Sequence, residues 1–179
     1  MRPAAFLDRD GVLNQLVVRD GRGVSPRRLA DFHCLPGVAQ AVELLRQAGF
    51  LVIVVTNQPD VARGFLDLNG LNGMHVRLRE AVRVDAIYAC CHDDVDGCDC
   101  RKPKPGLLLR AAKEWQIDLG KSFLVGDSWK DIEAGRAAAC TTMLVHRAGQ
   151  HYAGPKPDFI VSDLSNAVEA ILSGVCPPR

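Results

Sequence analysis

Short apolar runs alternate with amphipathic stretches along this chain, and the alternation predicts its architecture. Ala4-Ala5-Phe6-Leu7 is long enough for a buried strand and stops at the acidic turn Asp8-Arg9-Asp10-Gly11. Residues 14–35 are mostly polar and broken by Gly21, Gly23 and Pro26, which predicts a loop. Pro36-Gly37 opens a helix whose apolar residues Val38, Ala41, Val42, Leu44 and Leu45 recur at helical spacing, and Gly49 closes it. Residues 51–55 are apolar on both faces and β-branched, the signature of a central parallel strand, and Thr56-Asn57-Gln58-Pro59-Asp60 follows as a loop. The pattern then predicts a helix over 67–82, a strand over 85–89, a loop over 90–105 and a helix over 107–115. A strand over 122–125 runs into Gly126-Asp127, followed by a helix over 130–139 and strands over 142–145 and 159–161. Asp163 caps a last helix that reaches about residue 172.

Strands alternating with helices predict an α/β fold, a three-layer sandwich around a mostly parallel central sheet. The 179 residues suit one domain, with residues 90–105 as its distinctive loop. With 47% hydrophobic and 24% charged residues the composition is that of an ordinary globular protein, and a net charge of +1 argues against nucleic acid or a membrane surface as partner. A monomer is expected from size alone. The opening apolar run is too short for a signal-peptide core or a membrane span, which predicts a cytoplasmic protein.

In such sheets the active site lies beyond the carboxyl ends of the strands. Asp8-Asp10, Thr56-Asn57 and Asp127-Asp131 all fall there, far apart in sequence and brought together by the fold. Two carboxylates at i and i+2 can divide a task, one attacking an electrophile and the other managing protons. Clustered carboxylates repel unless a cation sits among them, and hard oxygen donors suit magnesium. Asp127 adds a third carboxylate, and Asp131 stands one helical turn on, where it can orient the site. Asp residues at a strand-to-helix turn also serve simply as caps. Thr56 offers a hydroxyl beside backbone N–H groups that suit a phosphate oxygen, or it makes an ordinary turn. Lys102 lies in the proline-stiffened stretch Cys100-Arg101-Lys102-Pro103-Lys104-Pro105 and can neutralise a phosphate, or belong to a solvated basic turn.

Of seven Cys, four (Cys90, Cys91, Cys98 and Cys100) fall in one short stretch with His92. That is five soft donors where structural zinc needs four. Inert thiols or a disulfide are the alternative, and the density of donors favours zinc.

Asp8-Arg9-Asp10-Gly11, Thr56-Asn57-Gln58, Lys102-Pro103 and Gly126-Asp127 with Asp131 resemble, in order and place, the four motifs of the haloacid dehalogenase superfamily. Leu35-Pro36-Gly37-Val38, Ala62-Arg63-Gly64, Asp85-Ala86-Ile87-Tyr88 and Cys98-Asp99-Cys100-Arg101-Lys102-Pro103 resemble its histidinol-phosphatase-like branch. The resemblance implies a magnesium-dependent phosphatase with a minimal cap. Asp8 would attack phosphorus, and Asp10 would protonate the leaving oxygen and then activate water. Magnesium would be held by the Asp8 carboxylate, the Asp10 carbonyl and Asp127, while Thr56, the Asn57 backbone and Lys102 would hold the phosphoryl group. It further implies zinc on Cys90, His92, Cys98 and Cys100, with Cys91 as a possible competitor. The substrate implied is a small phosphorylated sugar, a heptose bisphosphate destined for surface polysaccharide, with histidinol phosphate or another small phosphomonoester as the alternative. A zinc-stabilised binding module without catalysis is a third reading, and the presence of all the motif residues argues against it.

Zinc is expected to fold a loop poor in apolar residues and to position Arg101, either on a second phosphate or the sugar, or as a plain surface residue. The chain leaves the branch pattern at Pro59-Asp60, at Ser128 and at Cys140. His33, His75, His146 and His151 lack ligand-spaced neighbours, and Trp129 either lines the mouth of the site or packs its helix. Cys34 and Cys176 read as ordinary thiols and the tail from Cys176 as frayed.

Overall fold

The computed structural model describes residues 1–147 and 151–174. The expectations for Cys176 and the tail lie outside the described residues. Six parallel strands form the central sheet: β1 (Ala4–Leu7), β4 (Leu51–Asn57), β5 (Ala86–Cys90), β6 (Phe123–Gly126), β7 (Thr141–Val145) and β8 (Phe159–Val161). Their spatial order is β5-β4-β1-β6-β7-β8. The strand over residues 51–55 extends two residues further than its apolar run, because Thr56 and Asn57 still pair with Ala89 and Cys90.

Alternation along the strands splits the core in two. Ala5, Leu7, Val52, Val54 and Val125 face one side, where helices α1 (Val38–Gln47), α2 (Leu68–Ala81) and α5 (Leu164–Leu172) cover them. Ala4, Phe6, Ile53, Val55 and Leu124 face the other, beneath α3 (Gly106–Trp115) and α4 (Trp129–Ala137). Each fully buried Phe, Leu, Ile or Val there contributes about 2 kcal/mol of burial free energy. The central strands are apolar throughout because both of their faces are covered.

Helix ends follow the caps that the sequence offers. Asp67 accepts from the Gly70 amide (2.6 Å) and Asp163 from the Asn166 amide (2.9 Å). Gly37, at φ +78°, precedes α1 in a left-handed conformation that suits glycine. None of the described helices is long and apolar enough to cross a membrane.

The segment over 14–35 departs from the predicted loop. It contains a hairpin of β2 (Val17–Arg19) and β3 (Arg22–Val24), paired Val17↔Val24 and Arg19↔Arg22. Its two turn residues, Asp20 (φ +50°) and Gly21 (φ +71°), both adopt positive φ, the turn that an Asp-Gly pair favours between strands. The hairpin forms its own two-stranded sheet, separate from the central one.

Candidate active site and metal cluster

β1 delivers Asp8 to the centre of the sheet, where its amide donates to the Val125 carbonyl of β6 (2.9 Å). Lys102 reaches the same point from the segment before α3. Its ammonium contacts Asp8 Oδ1 (2.9 Å), Asp131 Oδ1 (2.5 Å) and the Val55 carbonyl (2.8 Å), with the side chain only 3% exposed. The Asn57 side chain fixes this lysine through its main chain. Its Oδ1 accepts from the Lys102 amide (3.0 Å), and its Nδ2 donates to the Lys102 carbonyl (2.9 Å). Burial pushes the Asp8 carboxyl up to about 7, against the pull of Lys102.

Asp10 faces the opposite electrostatic balance. Arg9, 0% exposed, donates to both of its oxygens through Nη2 (3.0 Å each). Asn14 Nδ2 (2.9 Å), Gln58 Nε2 (2.7 Å) and Ser25 Oγ (3.0 Å) add further donors. Burial alone raises the carboxyl, but Arg9 and the hydrogen bonds from Asn14 and Gln58 outweigh it and hold Asp10 below the usual carboxylate range. Gln58 Nε2 also donates to Thr56 Oγ1 (2.8 Å), so one amide bridges the acidic turn and the Thr56 hydroxyl. Arg9 in turn lies beside His75 Nε2 (3.4 Å) and 5.5 Å from the centre of the Phe32 ring. His75, expected to be bland, is largely buried, and desolvation together with Arg9 lowers it to about 4.

Asp127 follows β6, and Asp131 sits one turn into α4. Asp131 is fully buried and serves twice: it closes a capping box with Ser128 (Oγ to Oδ2, 2.6 Å) and holds Lys102. The capping reading of this residue therefore applies, and its second oxygen is committed to Lys102. Burial, then the charges of Asp8 and Asp131, push Asp127 well above the ordinary range. Gly11 makes the close approach of Asp127 possible. A Cβ there would lie 1.9 Å from Asp127 Oδ2, and φ is +85°.

Carboxylate oxygens of Asp8, Asp127 and Asp131 lie within 4.8 Å of one another. Lys102 is the ammonium set among them, and the raised carboxyls of Asp8 and Asp127 mark a site short of positive charge. A hard divalent cation fits that donor set. The Asp10 carboxylate is taken up by Arg9, Asn14, Gln58 and Ser25 and is not among these three.

Soft donors gather separately. Cys90, His92, Cys98 and Cys100 converge from the end of β5 and the following loop. Their spacings are 3.2 Å (Cys90–Cys100), 3.7 Å (Cys90–Cys98), 3.5 Å (Cys98–Cys100) and 3.4 Å (His92 Nδ1–Cys100). Zinc–sulfur bonds of about 2.3 Å imply tetrahedral edges of about 3.7 Å, so the cluster fits a closed zinc site. Cys91 is not part of this group and packs against the core cluster that α1, α2 and α5 cover.

Asp8, Asp10, Thr56, Asn57, Arg101, Lys102 and Asp127 all line one cavity of about 570 Å³. Arg101 is buried rather than a surface residue. It donates to Asp94 Oδ1 (2.7 Å) and the His92 carbonyl (3.3 Å) of the cysteine loop. Sequence reasoning missed Ser25 and Arg27 from beyond the hairpin, and Arg63 and Lys130 on the other walls. Trp129 is half exposed, while its neighbours Ser128 and Lys130 line the cavity.

Residues 27–139 match the haloacid dehalogenase-like hydrolase pattern. The chain is 40% identical over 180 residues to the D-glycero-beta-D-manno-heptose-1,7-bisphosphate 7-phosphatase of Pseudomonas aeruginosa, covering 96% of this chain and 98% of that protein. It is 36% identical over 199 residues to the D-glycero-D-manno-heptose-1,7-bisphosphate 7-phosphatase of Thermosynechococcus vestitus, covering 98% of each. Among solved structures, the D,D-heptose 1,7-bisphosphate phosphatase from B. bronchiseptica complexed with magnesium and phosphate superposes with a TM-score of 0.83 at 34% identity, over 96% of this chain and 99% of that one.

Proposed function

The chain belongs to the haloacid dehalogenase-like hydrolase family, and from that premise we propose that it removes the C7 phosphate of D-glycero-D-manno-heptose 1,7-bisphosphate through a covalent aspartyl-phosphate on Asp8. The observation that carries the reading is the single cavity lined by Asp8, Asp10, Thr56, Lys102 and Asp127 on its floor, with Arg27, Arg63, Arg101 and Lys130 around it. Each of these four is held by an aspartate, Arg27 by Asp60, Arg63 by Asp93, and Arg101 and Lys130 by Asp94, so a second phosphate would meet cations already fixed in place.

In the first step an Asp8 oxygen attacks phosphorus, the bond to the sugar oxygen breaks, and Asp10 delivers a proton to that oxygen. In the second step Asp10 takes a proton from water, water attacks phosphorus, and Asp8 is released with inorganic phosphate. The Arg9 clamp keeps Asp10 ionised in the resting site, as the second step requires. A phosphate monoester with its second ionisation near pH 6 brings the proton for the first step. Thr56 and Lys102 hold the phosphoryl oxygens, and Asn57 holds Lys102 in place. Asp8, Asp127 and the Asp10 carbonyl would hold magnesium, which supplies the positive charge that keeps these carboxylates ionised and offsets phosphoryl charge. Zinc on Cys90, His92, Cys98 and Cys100 would leave no open position for substrate, so its role would be to shape the loop that carries Asp94 and Arg101. We place the enzyme in the cytoplasm and read it as a monomer.

The test is phosphate release with magnesium from the heptose bisphosphate, from histidinol phosphate and from common sugar monophosphates. Strong preference for the bisphosphate, abolished by Asp8→Asn with the fold intact, is the expected result. Equal turnover of the monophosphates would overturn the substrate, and an active Asp8→Asn protein would overturn the mechanism.

A further inference from the structure

Pro59-Asp60 is one of the places where this chain leaves the pattern of its branch, and Asp60 has an unusual environment. Its side chain is only 11% exposed and takes Arg27 side-on, with Nε at 2.6 Å and Nη2 at 3.2 Å. The Arg27 guanidinium also stacks 4.0 Å from the centre of the Phe65 ring. The Asp60 main chain is equally fixed, since its carbonyl accepts from the amides of Phe65 (2.8 Å) and Leu66 (3.1 Å). Arg63 lies 4.0 Å from the same carboxylate and is itself held by Asp93 of the cysteine loop (2.5 Å).

Arg27 ends the segment that leaves the β2–β3 hairpin. That hairpin has no ladder to the central sheet: the chain entering it is tied by the Gln15 amide to the His33 carbonyl (2.9 Å), and the chain leaving it is held by the Arg27 side chain on Asp60. Two residues before Arg27, across the stiff Pro26, Ser25 donates to Asp10 Oδ2 (3.0 Å). Arg19 of the hairpin donates back to the Ser25 carbonyl (3.2 Å). A chain of fixed contacts therefore runs from Asp60 through Arg27 and Pro26 to Ser25 and ends on Asp10.

We infer that Asp60 is a positioning residue: its ion pair with Arg27 clasps the hairpin over the cavity and sets Ser25 against Asp10. The inference rests on Asp10 being the proton-transfer group of the proposed phosphatase. Asp60 itself touches no reacting atom, and its effect passes through Arg27 and Ser25. Misplacement at a distance of this kind can cost up to about a hundredfold in rate.

Four variants test it: Asp60→Asn, Arg27→Gln, the two combined, and Ser25→Ala. Turnover is read with the bisphosphate, and amide hydrogen exchange is read over residues 17–24. Asp60→Asn is expected to lower kcat roughly tenfold with little change in KM; Arg27→Gln, which also removes a cation from the cavity wall, should lower kcat alike and raise KM; both should speed hairpin exchange. The combined variant should be no worse than the poorer single one, because the two residues act as one unit. Ser25→Ala should lower kcat alike while leaving hairpin exchange slow. If Asp60→Asn speeds exchange but keeps kcat, or changes neither, the inference is overturned. Should Asp60→Asn not fold, the partly exposed Arg27→Gln carries the same test. Should the wild type release no phosphate from any substrate, the phosphatase reading fails by itself, and exchange still decides whether the clasp exists.

Discussion

Lys102→Met removes one positive charge from the floor of the site and keeps most of the stem. The ammonium it deletes is bonded to Asp8 (2.9 Å), Asp131 (2.5 Å) and the Val55 carbonyl (2.8 Å) at a position almost closed to water. Breaking a buried pair from one side costs about 3–5 kcal/mol, because the partner is left charged and desolvated. With a urea m-value of about 2 kcal/mol/M, the unfolding midpoint should fall by about 2 M at pH 8 without added magnesium. The pH dependence identifies the cause. Asp8 already stands near 7 with Lys102 present, and without it rises further. The folded variant then binds more protons than the wild type, so its deficit must shrink on acidification, by about 1.4 kcal/mol per pH unit for each extra proton. Paired urea titrations of wild type and variant from pH 8 to pH 6 measure this directly, and phosphate release should be lost throughout. A deficit below about 1 kcal/mol at pH 8, or one that widens toward pH 6, would refute the reasoning.

Three other outcomes follow from the same geometry. Cys98→Ser should lower bound zinc from one equivalent per chain, read by elemental analysis, and release Asp94 from Arg101, read as a rise in KM; an unchanged zinc content would exclude Cys98 as a ligand. His75, lowered to about 4 by burial, stays neutral in the fold while the unfolded chain takes up a proton below about 6.5, so stability is lost as pH falls from 6.5 to 4. After allowing for its partial exposure that loss is about 2 kcal/mol, and His75→Gln should remove it from the difference between the two denaturation curves. Gly11→Ala should abolish activity and depress the melting temperature by several degrees, because the new Cβ would overlap Asp127 Oδ2 and φ is +85°; wild-type turnover would contradict that packing.

The sheet and the acidic floor were legible because the same residues encode both. A fully apolar run must be a strand covered on two faces, and Asp8, Thr56 and Asp127 stand where such runs stop. The four zinc-spaced donors were legible because they are close in sequence. The hairpin carried a signal that went unread, since Asp20-Gly21 between Val17-Val18 and Val24 is a two-residue turn pattern, masked by a segment otherwise polar. The cage around Asp10 was not legible. Gln58 reaches it across 48 positions and Ser25 across 15, and neither residue type announces such a role. Arg9, between the two acidic residues, is a wholly buried cation, which no local pattern announces. The Arg27–Asp60 pair joins residues 33 apart on two loops, a contact that no local pattern encodes.

The hairpin and the cysteine loop stand outside the central sheet, tied across the mouth by ion pairs between partly exposed side chains. Floor and mouth therefore tolerate mutation very differently. A change at Lys102 or Asp131 risks several kcal/mol of a marginal total, whereas an exchanged pair at the mouth costs about 1 kcal/mol or less. Drift among descendants of such a scaffold can rewrite the outer contacts one pair at a time, with every intermediate still folded and still able to cleave phosphate. New substrate ranges are then reached through the inserts, while the catalytic floor is inherited intact.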